Sequence, residues 1–160
     1  MKRFIKILAL CMLVVMVAMM FASCGLLGGN ISKMKSRLKD KDYMVASVSS
    51  DNEIEGVVES MFNEYGFEVA NEMPEKMLVA QGDDGYGDDV LVLYEFENAI
   101  KALQAYNNDY KDAIKAACDE LKDEGLDPTY GISGKIIYLG TVDACKIAFG
   151  FPMNLFIKEK

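Results

Sequence analysis

The sequence predicts an α+β fold: a four-stranded antiparallel sheet with two main helices in the ferredoxin-like, split βαβ order, plus short N- and C-terminal helices. Three observations predict it. Two long stretches place apolar residues at steps of three and four, which is helical spacing. Four short runs are rich in β-branched and aromatic residues, which suit a pleated, half-buried surface. After a short leading helix, these segments follow one another as strand, helix, strand, strand, helix, strand.

The elements follow in chain order. Ile31, Met34 and Leu38 share one face of a short basic helix over Ser32 to Lys39, and Tyr43 to Val48 reads as the first strand. Ser50-Asp-Asn-Glu53 fits a capping box, in which the Ser hydroxyl and the Glu carboxylate satisfy amides at a helix start. Ile54, Val57, Val58, Met61, Phe62 and Tyr65 then form a single stripe, and Gly66 supplies the left-handed C-terminal residue. Lys76 to Gln81 and Asp89 to Phe96 read as a hairpin joined by a Gly/Asp-rich loop. A long helix spans about Asn98 to Glu124, with Ile100, Leu103, Tyr110, Ile114, Ala117 and Leu121 on its inner stripe, ended by Gly125 and Pro128. Tyr130 to Gly134 reads as a turn, Lys135 to Leu139 as the fourth strand, and Val142 to Phe149 as a closing helix. Two helices cover only one sheet face. The other needs the first helix, the closing helix, the tail Phe151 to Ile157 or another molecule.

Ahead of this domain the chain has a different character. Lys2, Arg3 and Lys6 precede an uncharged apolar run from Ile7 to Ala22, the order of a signal peptide whose positive end stays inside. The run ends in Phe21-Ala22-Ser23-Cys24-Gly25, with small residues at the two positions before a cysteine. This pattern resembles the lipobox of bacterial lipoproteins, although Phe21 stands where Leu is usual. The resemblance implies a diacylglyceryl group on the Cys24 thiol, cleavage between Ser23 and Cys24, and a mature protein on the outer face of the cell membrane, or in the outer membrane of a two-membrane envelope. The alternative is an uncleaved transmembrane helix, since Ile7 to Ser23 would span roughly 25 Å. The expected organisation is a leader over 1–23, a lipidated and Gly-rich linker with the basic helix over 24–42, and one α+β domain over 43–160.

Charge and composition exclude several classes. The chain holds 17 basic and 25 acidic residues, and loss of the leader removes three basic residues, lowering the net charge of −8 by a further three units. An acidic body does not neutralise a phosphate backbone, so nucleic acid is not an expected partner. The exceptions, Lys33, Lys35, Arg37, Lys39 and Lys41, cluster after Cys24 as a collar toward anionic head groups or as a solvated helix face. There is no histidine, which removes the commonest general base near neutral pH and every Ser-His-Asp or Cys-His site.

The remaining chemistry is sparse. Ser133 with Lys135 is a formal Ser-Lys pair, but the two flank a turn. Gly131-Ile-Ser-Gly-Lys135 lacks the spacing of a phosphate loop and leads into a strand. Asp83, Asp84, Asp88 and Asp89 are weak candidates for Ca²⁺ on the hairpin loop, against a plain acidic loop that keeps a sheet end soluble. Cys118 and Cys145 either pair outside the cytoplasm or stay as buried thiols. No cofactor motif is present. The expectation is a membrane-anchored, non-enzymatic domain that binds a protein of the cell envelope; the alternative is a histidine-free hydrolase of envelope material working through carboxylates.

Overall fold

The computed structural model describes residues 30–82 and 88–150, which form a five-stranded antiparallel sheet with helices on both faces. In chain order the elements are α1 (Asn30–Lys39), β1 (Met44–Val48), α2 (Asp51–Glu64), β2 (Lys76–Gln81) and β3 (Val90–Glu95). There follow α3 (Ala99–Ala105), a π-helical turn (Tyr106–Tyr110), α4 (Lys111–Asp123), β4 (Pro128–Ser133), β5 (Ile136–Thr141) and α5 (Val142–Phe149). The leader, Cys24, the centre of the hairpin loop and the tail from 151 onward lie outside the described residues.

The mixed fold and the antiparallel sheet match the sequence reading. The strand count and order do not. A fifth strand, β4, takes the segment read as a turn, and the order is β1-β2-β3-β5-β4. A split βαβ unit would seat the third strand between the first and second, but here β1 pairs directly with β2, Val48 opposite Met77. The segment 65–75 makes this possible. α2 leaves the sheet end that carries Val48 and Glu95, and its 14 residues span about 21 Å. Segment 65–75 then runs back to the same end, where Glu75 N–H donates to the Glu95 carbonyl.

Alternation along the strands divides the core in two. Val79, Val92, Tyr94, Ile137 and Leu139 face α2, α3 and α4. Leu78, Leu91, Leu93, Ile136 and Tyr138 face α1 and α5. The second face is thus covered by the first and closing helices, with Ile31, Met34, Leu38, Ala144, Cys145 and Phe149 buried against it. Each such aliphatic side chain contributes roughly 1.5–3 kcal/mol on burial.

The helix ends explain why α1 docks. Glu95, buried on the last residue of β3, accepts the Ile31 N–H at 3.3 Å and pairs with Lys135 at 2.6 Å, so a carboxylate meets the positive end of α1. Arg37 donates to the carbonyls of Ala148 and Phe149 at 3.0 and 2.9 Å, so a guanidinium meets the negative end of α5. α2 starts at Ser50, whose backbone carbonyl accepts from Glu53 and Ile54, but its hydroxyl makes no capping bond. It ends as read: Gly66 has φ +74° and Phe67 N–H reaches back to the Phe62 carbonyl. Gly140 permits the close approach of β3 and β5, since a Cβ there would strike the Val90 carbonyl.

Candidate interaction surface

The long helix starts as the sequence predicts, with the Asn98 side chain accepting the Lys101 N–H at 2.9 Å. Its inner stripe then breaks. Ala102 and Ala105 face the sheet, whereas Ile100 and Leu103 are 70% and 52% exposed. The cause is the π turn, in which Lys111 N–H bonds the Tyr106 carbonyl five residues back. One extra residue in a turn rotates everything before it by about 100° relative to the face continued by Tyr110, Ala113, Ile114 and Ala117.

Two groups hold the turn. Tyr110 sits edge-on to Phe62, Tyr94 and Phe96, with ring centroids 5.2, 5.2 and 5.7 Å away, and its hydroxyl donates to the Glu72 carbonyl. Asp109 accepts from the backbone amides of Asn71 and Glu72 at 3.2 and 3.4 Å. Lys101 pairs with Glu72 at 3.0 Å. Lys101 and Asp109 therefore mark the helix flank against segment 65–75, which returns between α2 and the long helix. Leu103 is two residues beyond Lys101, about 200° around the axis, on the side turned away from segment 65–75. Half-buried Tyr106, one turn on, continues that side.

β4 lies beneath α4 and ends the sheet, pairing only with β5 among the described residues. None of its six residues is buried. Tyr130 and Ile132 pack partly into the first core, and Thr129, Gly131 and Ser133 alternate to the second face. The Tyr138 ring lies over Gly131, where a Cβ would come within 2.9 Å of its hydroxyl. The strand has no charged residue, has proline only at its first position, and runs in unbroken register with β5. Of the usual means of blunting a sheet edge, charge, proline and a bulge, only Pro128 is used in it.

The other sequence candidates are dispersed. Cys24, Asp83 and Asp84 lie outside the described residues. Asp88 is exposed, and Asp89 accepts from the Tyr43 hydroxyl at 2.9 Å. Among the described residues, no group of three His, Cys, Asp or Glu is placed to hold a metal ion. Cys118 and Cys145 are free thiols, Cys118 in the first core and Cys145 in the second. The pairing raised as one alternative is thus not formed. Burial raises Cys118 to about 11 and pushes Cys145 up as well, so both stay protonated and unreactive near neutral pH.

Lys135 is tied to Glu95 and does not serve Ser133 as a base. Lys35 donates to the Ser47 hydroxyl at 2.7 Å, and burial, helped by Lys39, holds its ammonium below the usual lysine range. The basic collar divides accordingly: Lys35 and Arg37 are engaged with the body, while Lys33, Lys39 and Lys41 are exposed. Tyr65, half-buried, donates to Glu120, and desolvation followed by that bond raises its phenol well above the ordinary value. None of the described helices is long and apolar enough to cross a membrane.

Sequence reading missed both parts of the surface. The 3.6-residue stripe assigned Ile100 and Leu103 to the core, because nothing in Tyr106-Asn-Asn-Asp-Tyr110 marks an inserted residue. The two glycines in Gly131-Ile-Ser-Gly134 read as a turn and hid a strand. Fold and surface together define an α+β domain with an antiparallel sheet covered on both faces and ending, among the described residues, in the half-buried strand β4. In comparisons with known proteins, the chain matches no family model, no curated protein and no solved structure.

Proposed function

We propose that the protein is a membrane-anchored, extracytoplasmic interaction domain, held at the cell envelope by lipid on Cys24 and acting without catalysis. The observation that carries the binding role is the exposure of Ile100 and Leu103 on a helix whose inner positions are filled by alanines. Leaving two large apolar side chains in water forgoes burial free energy, and an exposed apolar cluster on a charged body marks a contact site. The anchor rests on the Phe21-Ala-Ser-Cys24 sequence. Only Gly25 to Gly29 separate Cys24 from Asn30, so that link reaches at most about 20 Å and α1 starts close to the bilayer.

Two readouts separate the parts of this reading. Mass spectrometry of the mature chain reports the anchor: cleavage before Cys24 and added diacylglyceryl mass are expected, both lost in Cys24→Ala. Affinity capture of the tagged protein from solubilised envelope reports the binding role, comparing the native chain with Ile100→Lys/Leu103→Lys. The same variant losing its retained proteins while melting normally is the expected result. Equal retention by both would remove the helix flank from the function.

A further inference from the structure

We infer that the outer side of α1 is a docking surface for an anionic lipid bilayer, so that the domain lies on the membrane with α1 toward the lipid and α2 away from it. This deepens the interaction-domain reading by giving the membrane its own face of the domain. It rests on the anchor of that reading only for bringing a bilayer within reach.

Three observations carry it. The first is that charge separates by sheet face. Residues 30–42, which are α1 and the turn after it, hold five cations, Lys33, Lys35, Arg37, Lys39 and Lys41, against two acids, Asp40 and Asp42. On the opposite face α2 holds five acids, Asp51, Glu53, Glu55, Glu59 and Glu64, and no cation. A chain with a net charge of −8 thus gathers its positive charge on one helix. The second observation is that these charges are not cancelled. Lys101, Lys122, Lys135 and Lys146 each pair with a carboxylate, whereas Lys33, Lys39 and Lys41 are exposed and form no ion pair among the described residues. Arg37, also exposed, bonds backbone carbonyls rather than an acid. The third is presentation. Ile31, Met34 and Leu38 fix the inner stripe of α1 in the core, and the small, exposed Ser32 and Ser36 stand between the cations, so no bulky side chain holds a flat surface off them. Beside α1, Lys146 and Asp143 of α5 pair at 2.8 Å and add no net charge.

Distance decides whether the acidic remainder outweighs this patch. Helix and sheet layers pack about 10 Å apart, so the acids of α2 stand roughly 20 Å or more beyond α1. With a screening length of about 8 Å at physiological salt, their repulsion by the lipid falls to about a tenth. Cations at the surface each strengthen attachment about fivefold, so Lys33, Lys39 and Lys41 together raise the ratio of docked to undocked domain roughly a hundredfold. In this orientation α3, which packs on the same face as α2, stays clear of the lipid and open to a protein partner.

The test uses the mature lipoprotein in vesicles of phosphatidylcholine, with or without phosphatidylglycerol, that carry a quencher on the lipid head group. A fluorophore is placed on Ser36→Cys of α1 or on Ser60→Cys of α2, both exposed positions, since the native thiols of the domain are buried. Strong quenching at 36 and little at 60 is expected on anionic vesicles. That contrast should vanish on neutral vesicles, in 1 M salt, and in Lys33→Gln/Lys39→Gln/Lys41→Gln. Equal quenching at the two positions, or a contrast that persists on neutral lipid or in the triple variant, overturns the proposal. If the triple variant misfolds, the salt and lipid arms on the native chain decide. Flotation separates the anchor from the face. Flotation with neutral vesicles reports the anchor. A chain that floats with anionic vesicles alone, and loses this in the triple variant, lacks the anchor and keeps the face, whereas flotation with neither overturns the face.

Discussion

β1 and β4, the two outer strands of the sheet, are both short and uncharged, yet their surroundings are opposite. β1 (Met44–Val48) lies under α1 on one face with Val45 buried there, Ala46 and Val48 buried in the other core and Met44 exposed, whereas all six residues of β4 (Pro128–Ser133) are half-buried. Both are edge strands among the described residues, and what differs is the helix packed on each, α1 on β1 and α4 on β4. α1 is fixed at its N-terminus by Glu95 and tied to α5 through Arg37. The first described helix therefore covers part of the second sheet face.

Loosening α1 should separate the two strands. Leu38→Ala removes a fully buried side chain from α1 and should cost about 2–5 kcal/mol, read from thermal unfolding, with faster amide exchange in β1 and little change in β4. Glu95→Gln removes the charge shared by Lys135 and the start of α1. A loss of about 1.5 kcal/mol is expected, at the low end for a charged hydrogen bond because Lys135 is partly in water.

Alkaline pH acts on the interior beneath both edges. Burial lifts Cys118 from 9.0 to about 11, so the folded state favours the neutral thiol. Its contribution is complete below pH 9, where both states keep the proton. Between about 9 and 11 the unfolded chain loses that proton first, and stability should fall as pH rises. Denaturant titration over this range should show the slope, and Cys118→Ala should reduce it.

Arg37→Ala should cost only about 0.5–1 kcal/mol, since the guanidinium is exposed although it bonds the end of α5. In β4, Thr129→Asp should cost about 1 kcal/mol, since the Thr129 side chain bonds the Tyr138 hydroxyl, and Ser133→Asp no more than about 0.5 kcal/mol. Thermal melts in dilute solution check both.

What the sequence made legible follows from how local each signal is. The stripe Ile54 to Phe62, the turn at Gly66, the start of the long helix near Asn98 and the strands Lys76–Gln81 and Val90–Glu95 depend on neighbours within a turn or a hairpin, and all stand near where periodicity put them. Strand order was not legible, because it depends on segment 65–75, whose bonds to Asp109 join residues nearly forty positions apart. Nor were Ile100 and Leu103 legible as surface residues. Their outward turn comes from one inserted residue at Tyr106–Tyr110, held there by the Phe62, Tyr94 and Phe96 rings. Strand β4 escaped notice because Gly131, which lies under the Tyr138 ring, carries the signature of a turn.

The outward turn of Ile100 and Leu103 is tested most directly by thiol accessibility. Ile100→Cys and Leu103→Cys should react with a water-soluble maleimide in the native protein nearly as fast as in the unfolded chain, while Ala102→Cys should stay blocked until the protein unfolds. Blocked thiols at 100 and 103 with an open one at 102 would contradict the rotation assigned to the π turn.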